Sequence, residues 1–130
     1  MRTQLLCLSL AAVCVGWSST LGAQAVQPRD AVVQFFEASR NGDTETIRRL
    51  IAGSFYDQRK VLLEENEQYA EFLRAHYQGT EVRMGNVLMK EDGSVGVVDV
   101  RIKFPGGNVD TAKFLLKRGA DGWWKIVGQL

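Results

Sequence analysis

The hydrophobic period of this chain changes once, at Gly79, and that change confines the fold. Before Gly79 apolar residues recur at helical spacing; after it they alternate. Val32, Phe35, Phe36 and Ser39 fall at i, i+3, i+4 and i+7, which puts one apolar stripe along a first helix. Gln27-Pro28-Arg29-Asp30 opens that helix, with proline where no N–H is needed and an acid at the positive end of the helix dipole. Asn41-Gly42 closes it. Asp43 then caps a short second helix whose inner face is Ile47, Leu50 and Ile51 and whose stop is Gly53. Residues 54–58 read as a connection. Residues 59–77 predict a third helix, with Leu62, Tyr69, Leu73 and His76 along one side, Phe72 beside them, and Glu64, Glu65, Glu67 and Glu71 toward water. Four strands follow, over 80–89, 95–104, 109–118 and 123–130. They are separated by Asp92-Gly93, Pro105-Gly106-Gly107-Asn108 and Asp121-Gly122, sequences that reverse the chain between antiparallel strands. Helices grouped ahead of strands predict an α+β domain: three N-terminal helices packed on a curved four-stranded antiparallel sheet.

The first 25 residues read as a secretory signal. Arg2 charges the start, residues 5–15 are apolar apart from Ser9, and a small, polar stretch ends in Ala23-Gln24-Ala25. The apolar run is shorter than the roughly 20 residues a membrane span requires, and no later run is longer. Cleavage is expected after Ala25, or failing that after Ala23, leaving one domain over 26–130. Both cysteines, Cys7 and Cys14, lie in the signal, so the mature domain has no thiol chemistry and no thiolate metal site, as suits an oxidising compartment. The reading is an exported chain, periplasmic or secreted, from a bacterium. Lys and Arg number 16 and Asp and Glu 15, and the signal carries only Arg2, so the mature charges balance. That balance argues against a nucleic-acid binder, which is normally basic.

The opening Pro28-x-x-Ala31-Val32-x-x-Phe35-Phe36-x-Ala38, the turn Asn41-Gly42-Asp43 and the closing Asp121-Gly122-Trp123-Trp124-Lys125-Ile126 resemble the NTF2-like (cystatin-like α+β) superfamily. The nearest likeness is to small secreted domains labelled DUF4878 or lumazine-binding-like. The resemblance implies a cone-like fold with any pocket between the sheet and the helices. It implies no one activity, since such folds serve isomerases, dehydratases, transport factors and plain binding modules alike.

Alternation sorts the strands by face. The inward sets are Val82, Met84, Asn86 and Leu88; Val98, Val100, Ile102 and Phe104; Asp110, Ala112, Phe114 and Leu116; and Trp124, Ile126, Gly128 and Leu130. Gly85 is a candidate bulge that would switch the faces beyond it. Candidate ligand-binding residues are therefore Tyr69, His76, Asn86, Asp110 and Trp124, with Tyr56 and Asp57 at the rim. Asp110, His76 and Tyr69 are the candidates for catalysis, because an Asp or His in an apolar pocket acquires a shifted pKa and can move protons. Each also has a structural role open to it: His76 against the helix dipole, Asp110 at a solvated turn, Tyr69 as a core ring. Nothing in the sequence has metal-ligand spacing or the form of a phosphate loop, and no cofactor is expected. Outward parity collects Arg83, Arg101, Lys103, Lys113, Lys117 and Lys125 with Val97, Leu115, Trp123 and Val127. Arg101, Lys103, Lys113, Leu115 and Trp123 are the candidate interface, for a homodimer or an acidic partner. The expected role is a non-catalytic module that binds a small apolar ligand or serves assembly. The alternatives are an isomerase- or dehydratase-type enzyme and a protein–protein module working through the basic sheet face.

Overall fold

The structure is a computed structural model and describes residues 25–130; apart from Ala25, the expected signal lies outside the described residues. Helix α1 (Pro28–Asn41) begins where the backbone N–H of Gln27 donates to Asp30 Oδ2 at 3.1 Å. It ends at Gly42, whose φ of 67° lets the chain turn so that the Asp43 N–H reaches the Ala38 carbonyl at 2.8 Å. A Cβ at Gly42 would stand 2.6 Å from Arg74 Nη1, so glycine also lets the last helix pack against this end of α1. Helix α2 (Thr44–Leu50) is capped by Asp43, whose Oδ1 accepts from the Thr46 N–H. Ile51 then leaves the helix in an extended conformation and forms a parallel bridge with Ile126, while the Ala52 N–H donates to the Ile126 carbonyl. The helical layer is thereby tied to the last strand.

The remaining helical segment differs from the sequence reading. Helix α3 spans Gly53–Glu65 and helix α4 spans Tyr69–Tyr77, so among the described residues four helices stand where three were expected, and residues 54–58 are helix, not a connection. The break has a local cause. The Asn66 side chain accepts from the Gln68 N–H at 2.9 Å, a turn that competes with helical hydrogen bonding. The rotation it introduces buries Leu63 and leaves Leu62 38% exposed, the reverse of the expected placement.

The sheet has the order β1-β2-β3-β4, with β1 Glu81–Lys90, β2 Val95–Lys103, β3 Val109–Arg118 and β4 Trp124–Gln129, every neighbour antiparallel. Two bulges correct the predicted faces. In β1 the register shifts between Met84 and Val87, so Val87 pairs with Val98, and Asn86 and Leu88 lose the inward parity assigned to them. In β4 the register shifts around Val127, so Gln129 pairs with Phe114, and Gly128 and Leu130 move to the outer face.

Helix α1 lies across the inner face. Val32, Phe36, Val98, Phe114, Leu116 and Ile126 are each at most 4% exposed, and Phe55 of α3 closes the end of this core at 1%. Burying a ring of this kind contributes about 1.5–3 kcal/mol. Gly96 of β2 permits the close approach of α1, since a Cβ there would fall 2.9 Å from Pro28 Cγ.

Candidate functional site

The helices and the inner sheet face do not close completely on one another. Between α1, α3, α4 and strands β2–β3 lies a cleft of about 260 Å³. Its floor is an aromatic cluster. Phe114 stands edge-on to Phe36 at 5.9 Å and to Phe55 at 6.0 Å, and Phe35 meets Phe55 at 5.7 Å. Edge-to-face rings in this range pack favourably and hold one another in place. A second aromatic row runs along α4 at the mouth: Tyr69 stacks on Phe72, Phe72 stacks on His76 at 5.6 Å, and His76 meets Phe104 edge-on at 5.7 Å.

Tyr69, His76 and Asp110, three of the sequence candidates, all line this one cleft. Tyr69 is buried, whereas His76 and Asp110 are exposed at the rim. No hydrogen bond joins the three among the described residues. The His76 ring is held by Phe72, Tyr77 and Phe104, not by a carboxylate. No three His, Cys, Asp or Glu side chains among the described residues come together as a metal site.

The other candidates lie elsewhere. Tyr56 is half-buried beside the core, and its hydroxyl donates to Glu64 Oε2 at 2.9 Å, a bond that pushes its phenol above the ordinary value. Asp57 is exposed on α3. Asn86 is exposed within the β1 bulge, outside the cleft lining. Trp124 is 3% exposed in the core, its backbone N–H donating to the Ala25 carbonyl, and it too is absent from the lining.

Two groups in the cleft escaped the sequence reading. Arg59 of α3 lies 3.6 Å over the Phe55 ring and donates from Nη1 to the Phe55 carbonyl at 3.1 Å. Burial pushes its guanidinium below the ordinary arginine value, and the phenols of Tyr69 and Tyr77 lie close enough to feel its charge. Burial pushes both phenols above 10.0, so they remain protonated hydrogen-bond donors at neutral pH. The signals were present: Phe55 and Arg59 are four residues apart, as are Tyr69, Leu73 and Tyr77. Reading 54–58 as a connection hid the first pair, and counting His76 as the inward end of the helix hid Tyr77.

On the opposite face the register sets Arg83 beside Arg101 and Arg101 beside Thr111, with Glu81 opposite Lys103 and Asp99 opposite Lys113. Lys113 Nζ approaches Asp99 Oδ1 at 3.7 Å, while Arg83 and Arg101 make no ion pair among the described residues. An open furrow of about 640 Å³ runs between these side chains and Leu130. Of the interface candidates, Arg101, Lys103 and Lys113 are exposed and Leu115 and Trp123 half-buried.

No protein-family model matches the sequence, and no curated protein matches it. Solved structures do. A candidate ketosteroid isomerase from Shewanella frigidimarina is 16% identical and superposes with a TM-score of 0.54, covering 83% of this chain and 95% of that one. A candidate NTF2-like transpeptidase from Campylobacter jejuni is 14% identical with a TM-score of 0.53, covering 75% of this chain and 94% of that one. Among the described residues four helices pack on an open four-stranded antiparallel sheet, and the likeness to these structures shows that the chain has the NTF2-like fold.

Proposed function

We propose that this chain is an exported, non-catalytic module that binds a small, largely apolar molecule in the cleft between helices and sheet. The observation that carries the reading is the cleft itself, lined by aromatic rings from α1, α3, α4 and the sheet. Apolar lining with a few convergent polar groups is the usual make-up of a small-molecule site. At about 260 Å³ it falls below the roughly 300–1,000 Å³ of typical ligand sites, so the ligand is small. Titration with benzyl alcohol, a small neutral probe, tests this by NMR. The expected result is shift changes centred on Phe35, Tyr69, His76 and Phe114. Changes confined to the outer sheet face, or none at millimolar probe, would contradict it.

A second reading is an isomerase- or dehydratase-type enzyme, with Asp110 or His76 as base and Tyr69 as donor. It is favoured by the placement of all three on one cleft. The missing hydrogen bond between them, and the aromatic setting of His76, favour binding over proton transfer. The outer face supports a further role compatible with either: pairing of two copies, or capture of an acidic partner, along the row of Arg101, Lys103 and Lys113. The finer likeness to small secreted domains of the DUF4878 kind, and a periplasmic or secreted location, belong to this proposal. Its support is the tripartite N-terminal sequence and the absence of cysteine beyond it. Among the described residues no helix is long and apolar enough to cross a membrane.

A further inference from the structure

We infer that the cleft recognises a small monocarboxylate with an aromatic or alicyclic body, its carboxylate bound by Arg59 and the hydroxyls of Tyr69 and Tyr77. The inference rests on the binding reading above and adds the chemical class of the ligand. Arg59 is the one arginine or lysine in the lining. It is half-buried over Phe55, and no carboxylate lies within ion-pair distance of it among the described residues. A guanidinium carries five N–H donors, and only one hydrogen bond, to the Phe55 carbonyl, engages them here. A desolvated cation without a counter-ion is costly unless something supplies the opposite charge.

The surroundings define that something. The Tyr69 and Tyr77 hydroxyls have no hydrogen-bond partner among the described residues, and both residues line the same cleft as Arg59. Three donors of two kinds lining one cleft suit a planar, two-oxygen acceptor, the group that arginine binds with two parallel hydrogen bonds. Most of the rest of the wall is aromatic and aliphatic, including Phe35, Phe114 and Ala112, with Ser39 and Gln129 as further polar groups. A single cation suits one negative charge. Asp110, the one acid in the lining, is exposed at the rim on β3 and makes no ion pair with Arg59, so it leaves the charge of Arg59 available.

The test compares phenylacetate with phenylacetamide, probes of nearly equal size that differ in charge, by calorimetric titration of the wild-type chain and of Arg59→Met and Arg101→Ala. The wild type is expected to bind phenylacetate at least about tenfold more tightly, equivalent to about 1.4 kcal/mol. Arg59→Met should abolish that preference and Arg101→Ala should retain it. Equal binding of the two probes by the wild type would overturn the inference while leaving an apolar cleft standing. Failure of both probes to bind would remove the cleft reading as well. Loss of the preference in Arg101→Ala but not in Arg59→Met would assign the anion to the outer face and overturn the inference. Equal binding by the wild type overturns the inference even if Arg59→Met does not fold, and a preference kept by Arg101→Ala excludes the outer face as its source. A purely structural Arg59, serving only to cover Phe55, would give no charge preference.

Discussion

At the scale of single residues, the fold depends on places where a side chain is missing as much as on those where one is buried. Gly96 is the clearest. In a strand, replacing glycine by alanine ordinarily helps, because glycine has the greater conformational entropy to lose. Here the added Cβ would meet Pro28 Cγ at 2.9 Å and Pro28 Cβ at 3.2 Å, both on the rigid first turn of α1. Gly96→Ala is therefore expected to lower stability by about 1–3 kcal/mol, the usual cost of overpacking, as read by urea denaturation. An unchanged or raised midpoint would show that α1 does not seat there. None of this was legible in the sequence, where Gly96 is simply an even-numbered strand position; only the packing of α1 gives it a role. Arg59 was hidden in the same way. Its type and number were in view, but its setting over Phe55 exists only once 53–65 is a helix.

Elements were legible where one force acted along their whole length. The alternation after Gly79 gave all four strands nearly to their ends, because a half-buried sheet imposes period two on every residue. It failed past each bulge, where one extra residue reverses every side chain that follows: Asn86 and Leu88 in β1, Gly128 and Leu130 in β4. The helical segment failed at Asn66, where a single side-chain hydrogen bond outcompetes a periodic pattern. The N-terminal segment leads to an expected outcome at this scale. Ala25 is 1% exposed, and its carbonyl accepts from the Trp124 N–H at 3.0 Å, so it is stitched to the start of β4. Cleavage after Ala25 would remove that contact, and cleavage after Ala23 would preserve it. The mature chain is therefore expected to begin at Gln24, the less favoured of the two sites on sequence grounds. Intact-mass measurement of the exported protein checks this; a chain beginning at Val26 would show that the fold does without Ala25.

For the whole molecule, the balance of charge conceals a division of labour. The outer sheet face gathers Arg83, Arg101, Lys103 and Lys113, while the inner face and helices enclose an aromatic cleft with Arg59 as its one arginine or lysine. The first was legible from parity alone. The second was legible in part: Tyr69, His76 and Asp110 could be placed facing inward, but Arg59 and Tyr77 could not, since the expected helix over 59–77 starts too late to set Arg59 on Phe55 and lacks the break at Asn66. The central claim is that the cleft holds a small molecule. Its most direct measurement is native mass spectrometry of the chain purified from its own host, beside Ala112→Phe, which places a ring in the cleft from the inner row of β3. The wild type is expected to carry a small organic adduct that Ala112→Phe lacks. An adduct held equally by both chains, or none on the wild type, would contradict the account.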